Sequence, residues 1–223
     1  MDVIEKALSQ GRKTLSEHES KLVLSSYDIP VVEEILVRNE SELKTAVENI
    51  GFPVAVKACA PDITHKTDLD VIRLDIRTQE EAVEAFRQII HRIAKLGEGA
   101  VLVQKMEKGK REFMVGMTRD PQFGPCVMFG LGGIFTEALD DVSFRVAPLE
   151  KNDATEMIHE IKSHKLLGPF RGMLPVNLDS LEQILINLGR LGLENERIQE
   201  IDINPLIIRE DLPVAVDALI VLN

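Results

Sequence analysis

AVLVQKMEKGKREFMVGMTRDPQFGPCVMFGLGGIFTEALDDVSFRVA, residues 100–147, is the stretch that decides the fold class. Four short apolar runs stand out in it: Ala100–Gln104, Glu112–Thr118, Pro125–Phe129 and Ser143–Ala147. The segments between them are too short for the helical crossovers that parallel strands need, so the pattern predicts antiparallel strands.

The texture is mixed on both sides of this stretch. The N-terminal MDVIEKALSQGRK is polar and weakly helical. Ser16 and Glu19 predict a capping box, opening a helix that carries Leu22, Val23 and Tyr27 and stops before Pro30. Val31-Val32 and Ile35-Leu36-Val37 predict a strand, and Leu43, Val47 and Ile50 predict a helix over 40–50. Phe52–Lys57 is an apolar strand ending in lysine. A polar loop follows from Ala60 to Asp70, and then a second strand, Val71–Ile76. Thr78 and Glu81 form another capping box. It precedes a helix with Val83, Phe86, Ile90 and Ile93 on one face, closed by Gly97 and Gly99. Downstream, helices are expected at about 150–161 and 178–191, and strands near 198–203, 205–209 and 214–217. Mixed α and β, then β, then α, then β argues for an α+β fold rather than a doubly wound parallel sheet. We expect two lobes, about 15–98 and 99–223, with mixed or antiparallel sheets and flanking helices.

Composition fits a globular protein: 223 residues, 44% hydrophobic and 28% charged. Thirty-seven acidic residues against 26 basic ones give a net charge of −11, which disfavours nonspecific nucleic-acid binding. A phosphate ligand would need a local set of donors or a metal. Cys59 and Cys126 lie in apolar runs without a CxxC, which reads as two buried thiols in a reducing compartment. No apolar run reaches the ~20 residues that span a bilayer, and no signal-peptide core is visible, so the expectation is a cytoplasmic protein with no membrane partner. The sequence lacks GxGxxG, GxxxxGK[ST], HExxH and an EF-hand loop.

Four places can carry chemistry. Lys57, at the end of its strand, either snorkels along the core or meets a phosphate at the sheet rim. His65, in PDITHKTD (residues 61–68), is either an exposed loop histidine or a nucleophile in a loop that covers phosphates. Gly130-Leu131-Gly132-Gly133 is either a tight turn or a backbone anion site. Glu137, Asp140 and Asp141 follow it and favour the second reading only beside a divalent cation. In EIDINPL (residues 200–206), alternation puts Glu200, Asp202 and Asn204 on one strand face, a hard-oxygen set suited to Mg²⁺ or simply a solvated acidic face. Asp217, in an otherwise apolar run, needs a partner if buried. Arg145 and Arg171 are further candidates for anion contact or surface ion pairs, and His18, His91, His159 and His164 receive no role.

Six tracts in order resemble one family: FPVAVK (52–57), PDITHKTD (61–68), VLVQKM (101–106), DPQFGP (120–125), FGLGGI (129–134) and EIDINPL (200–206). The resemblance covers roughly residues 15–220. The chain resembles the ATP-grasp β subunits of ADP-forming acyl-CoA synthetases, relatives of the succinyl-CoA synthetase β chain. The resemblance implies two α+β lobes with a nucleotide between them. It implies that Lys57 contacts phosphates, that Gln104, Lys105 and Met106 form a hinge bonding adenine through its backbone, and that Glu112 lies near base or ribose. Gly132 and Gly133 would lie near the transferred phosphoryl group, and Asp202, Asn204 and Asp217 would hold Mg²⁺. His65 matches the histidine that becomes phosphorylated. Fused members of the family often carry two glycines after the HKTD-like tract. This chain has Asp70 and Val71 there, so no backbone cradle is assigned to that loop.

The implied reaction is acyl-CoA + ADP + phosphate ⇌ carboxylate + CoA + ATP. A CoA-binding α subunit would carry the acyl-CoA half and its own phosphohistidine, and His65 would relay the phosphoryl group to ADP. Two other readings compete with this one. An ATP-grasp carboxylate ligase would need no phosphohistidine. A non-catalytic nucleotide-sensing module would be expected to have lost some of Lys57, His65, Asp202 and Asn204, all of which are present.

Overall fold

The computed structural model describes residues 3–60, 70–94, 99–107, 109, 111–133, 141–169 and 172–223. His65, Glu137, Asp140, Arg171 and Gly97 lie outside the described residues. The described residues form two compact units. One comprises Ser16–His18 and Val32–Glu107. The other comprises Met1–Leu15, Glu19–Val31 and Lys108–Asn223.

The smaller unit is a four-stranded sheet in the order β1-β4-β2-β3, antiparallel throughout. Its strands are β1 (Glu34–Val37), β2 (Val54–Cys59), β3 (Ile72–Ile76) and β4 (Ala100–Lys105). Helices α3 (Glu40–Ile50) and α4 (Gln79–Ile93) supply its core. Val54, Val56, Ala58, Val101 and Val103 pack with Leu43, Val47, Phe86 and Ile89. Helix α4 is capped as its sequence predicts, with one change. Thr78 accepts the Glu81 N–H (3.2 Å), but the Glu81 carboxylate reaches the N–H of Arg77, not of Thr78 (2.8 Å). Asn39 and Glu42 repeat this at α3, where Glu42 accepts from the N–H of Arg38 (2.7 Å).

The larger unit holds β5 (Glu112–Asp120), β6 (Gly124–Leu131), β7 (Val142–Val146), β8 (Ile198–Arg209), β9 (Leu212–Ala215) and β10 (Leu219–Leu222). The order is β10-β8-β5-β6-β7, with β9 also on β8, and every pairing is antiparallel. Helix α5 (Lys151–Glu160), a 3₁₀ helix (Lys162–Leu167) and α6 (Leu178–Glu194) follow β7, and α1 (Val3–Ser9) joins the same core. Phe113 and Phe129 stack within it at 5.6 Å between ring centroids. Helix α2 (Glu17–Ser26) begins right after Ser16, as the capping box predicts.

Several features differ from the sequence reading, among them the following. The lobe boundary was expected near 98 and the units divide after Glu107, because β4 pairs with β1 and β2 instead of continuing into the strands that follow it. The strands expected at 198–203 and 205–209 are one strand, β8, running through Pro205. Cys126 is half-buried, while Cys59 is buried as expected. Among the described residues, no helix is long and apolar enough to cross a membrane.

Candidate functional site

The candidate residues fall into two sets, one in each unit. In the smaller unit, β2 sends Val54, Val56 and Ala58 toward the helices, so Ala55 and Lys57 point to the opposite sheet face. Cross-strand pairing puts Gln104 opposite Ala55, on that same face. Lys57 is buried. Its ammonium meets the carboxylate of Glu17 at 3.0 Å, and that carboxylate is also buried. One residue along, His18 Nδ1 lies 2.9 Å from Glu34 Oε1 on β1. The residues expected to bond a base are partly committed already: the N–H of Lys105 donates to Glu33 O (2.9 Å) and that of Met106 to Pro53 O (3.1 Å). Hydrogen bonding to a base through these residues would therefore use carbonyl oxygens.

In the larger unit, Glu112, Gly132 and Gly133 come together. The N–H of Gly132 donates to the Glu112 carbonyl (2.9 Å). A Cβ on Gly133, whose φ is +81°, would stand 3.1 Å from Glu112 Oε2. Glu112 and Gly133 thus lie side by side. Gly132 is fixed by close approach, since a Cβ would stand 2.7 Å from the Phe113 carbonyl carbon and oxygen. Gly132→Ala must push the turn off β5, and we expect a loss of about 1–3 kcal/mol in urea unfolding. An unchanged midpoint would contradict this packing.

The acidic set assembles on β8. Ile201 and Ile203 enter the core, and Asp202 points to the other face, in a row with Leu219 of β10 and Gly116 of β5. The Val216 N–H donates to Pro205 O (3.1 Å), which brings the neighbouring Asp217 alongside Asn204. Burial, followed by the charges of Glu200 and Asp217, pushes the Asp202 carboxyl up to about 6. A carboxylate crowded by like charge is one that a divalent cation relieves. Among the described residues, no three His, Cys, Asp or Glu side chains form a ready metal cage. Mg²⁺ needs none, because it keeps waters and shares substrate phosphates.

Other candidates resolve differently. Asp141 accepts the backbone N–H groups of Lys162 (2.6 Å) and Ser163 (2.8 Å), capping the 3₁₀ helix, and those bonds hold its carboxyl below the usual range against the opposing effect of burial. Arg145 pairs with Glu160 (2.7 Å) and Glu156 (3.4 Å) on the surface. Asp70 takes φ +51°, a conformation that glycine adopts freely, and its carboxylate is held by Arg73 and Arg92. Sequence reasoning missed Glu17: the capping-box pattern marked it only as a helix start, and no local signal ties residue 17 to residue 57.

A model of the ATP-grasp domain matches residues 6–222. The chain belongs to the ATP-grasp family. Within it, the chain is 48% identical to the β subunit of acetate–CoA ligase [ADP-forming] I from Pyrococcus furiosus, across 99% of this chain and 97% of that subunit. It is 38% identical to acetate–CoA ligase [ADP-forming] I of Archaeoglobus fulgidus, of which it spans 33%. A solved acetyl-coenzyme A synthetase 1 from Korarchaeum cryptofilum superposes with a TM-score of 0.88 at 45% identity, covering all of this chain and 99% of that one. That protein was captured with coenzyme A and Mg-AMPPCP, its phosphohistidine segment pointing towards the nucleotide-binding site. The ATP-grasp chain described here thus groups with the β subunits of ADP-forming acetate–CoA ligases.

Proposed function

We propose that this ATP-grasp chain is the nucleotide-binding β subunit of an ADP-forming acyl-CoA synthetase, working in the cytoplasm with a separate CoA-binding α subunit. What carries the reading is its full-length match to a relative that exists as a separate β subunit, while a fused relative carries the equivalent of this chain in a third of its length.

The reaction divides as follows. On the α subunit, phosphate displaces CoA from acyl-CoA to give an acyl phosphate, whose phosphoryl group passes to a histidine there and releases the carboxylate. His65 of this chain takes that phosphoryl group through a neutral imidazole nitrogen. A terminal phosphate oxygen of ADP then attacks phosphohistidine 65, forming ATP and freeing the imidazole. The ammonium of Lys57 offsets charge on phosphate oxygens, and the backbone of Gly132 and Gly133 lets an anion come close. Asp202, Asn204 and Asp217 would hold Mg²⁺, which neutralises charge on the phosphates. Gln104, Lys105 and Met106 would flank the base. A relay of this kind suits two reactions housed on separate subunits.

The test uses the chain with and without its α partner. Alone, the chain should bind Mg-ADP and turn over no acyl-CoA. With the α partner, acyl-CoA and ³²P-phosphate, acid-labile label should appear on His65 and be chased into ATP by ADP. Acyl-CoA turnover by the chain alone, or ATP formation with no label at His65, would sink the proposal.

A further inference from the structure

We infer that Glu17 is a positioning residue for nucleotide binding, tethering Lys57 so that its remaining N–H donors are presented to phosphate oxygens. The inference rests on the proposed role of Lys57 as the phosphate contact.

The geometry is unusual for a lysine. A four-carbon stem normally carries the ammonium out to water. Here the Lys57 side chain is only 5% exposed, and Glu17, at 1%, meets it at 3.0 Å. An ammonium has three N–H donors. Glu17 is the one partner it meets among the described residues, so one donor is used and two have no acceptor among those residues. A buried cation with spare donors is an arrangement that an anionic ligand completes. The sheet face agrees, because Gln104, of the hinge, lies on it as well. The first turn of α2 presents Glu17 and is held to the same sheet by the adjacent His18–Glu34 contact. Deleting the Glu17 charge leaves a buried cation uncompensated. The flexible stem then has reason to turn toward water, and the donors lose their aim.

The test compares ADP with adenosine, which lacks the phosphates, on the full chain. Glu17→Gln should weaken ADP binding by about 10–100-fold, which is roughly 1.4–2.7 kcal/mol, and change adenosine binding less than about threefold. In the complex with the α partner, KM for ADP should rise more than kcat falls. Glu17→Asp, which restores the charge on a shorter stem, should recover part of the loss. Glu40→Gln, in the exposed Glu40–Arg87 pair of the same unit, should change neither ligand. Unchanged ADP binding in Glu17→Gln overturns the inference, and so does an equal loss of ADP and adenosine. Lys57→Met separates the two levels. If it keeps full ADP affinity, the reading of Lys57 itself fails; if it loses affinity while Glu17→Gln does not, only the role of Glu17 fails. Should Glu17→Gln not fold, the double variant Glu17→Gln/Lys57→Met removes both charges. It should bind ADP as Lys57→Met does, and a further additive loss would contradict the tether.

Discussion

Alanine at position 65 should stop ATP formation in the assembled enzyme, lowering kcat by at least ~10³-fold, the scale on which removing a covalent nucleophile acts. Mg-ADP affinity of the same variant should stay within about threefold, because the imidazole is a phosphoryl acceptor and not a nucleotide anchor. The two outcomes together are diagnostic. A carboxylate ligase that forms its acyl phosphate directly from ATP would keep much of its turnover without this ring. A sensing module would have no turnover to lose and would bind nucleotide unchanged. The relay alone combines intact binding with abolished transfer. The measurement is coupled ATP release from acyl-CoA, ADP and phosphate, run beside ADP titration of the isolated variant. Residual turnover above roughly a tenth of the parent would remove His65 from the reaction path.

Local pattern carried most of the secondary structure, because caps and helical periodicity are local properties. Helix α3 at 40–50 matches its expectation residue for residue, and α4 starts directly after its Thr78 cap. What the chain does not write locally is which strands meet. β4 adjoins β5 in sequence yet pairs with β1 and β2, so the unit boundary falls after Glu107. Pro205 looked like a strand end because it has no N–H to give to a ladder. It is tolerated within β8 because the neighbouring strand changes there: β10 pairs with residues 198–202 and β9 with 206–209. The register with β5 also shifts nearby, between Phe113 and Val115.

The candidate site was legible in the same uneven way. Alternation along 200–204 was enough to place Asp202 off the core face, since strand geometry has a period of two. The placement of Asp217 depends on the bond from the Val216 N–H to Pro205 O, a contact between segments that the sequence does not write locally. Glu17 lies forty positions from Lys57, and the N–H groups of Lys105 and Met106 are taken by Glu33 and Pro53, partners that only the folded sheet supplies. Asp141, one of three carboxylates after the glycine turn, fits an anion site there only if a divalent cation is present. It serves instead as a helix cap, using the same affinity of a carboxylate for clustered donors.

Asp202→Asn should make the nucleotide-free chain more stable and the enzyme inactive. The Asp202 carboxyl titrates near 6 in the folded chain, chiefly through burial and then through Glu200 and Asp217, against 3.8 for a free aspartate. Between those values the folded chain holds a proton that the unfolded chain has released. Stability therefore falls as pH rises from about 4 to 6, and above 6 the whole penalty is present. Asparagine cannot ionise, so the variant escapes that penalty at pH 7 and gains nothing at pH 4. Two units at ~1.36 kcal/mol each set an upper bound, and partial contact with water reduces the gain to about 1–2 kcal/mol, or roughly 3–6 °C in Tm. The proposed Mg²⁺ role predicts the opposite for function: kcat should drop by at least ~10²-fold, since an amide carries no charge to offset a divalent cation. Mg²⁺ with ADP should raise the Tm of the parent chain well above that of the variant. In the parent, Mg²⁺-dependent nucleotide affinity should decline up to tenfold per pH unit below about 6, because the cation must displace the proton, and the variant should show no such slope. Stabilisation at pH 7 with activity retained would mean that the crowding of Asp202, Glu200 and Asp217 serves something other than a metal. Asp202, flanked by Glu200 on its own strand and by Asp217 in the segment between β9 and β10, carries a repulsion that a bound cation would offset during the working cycle.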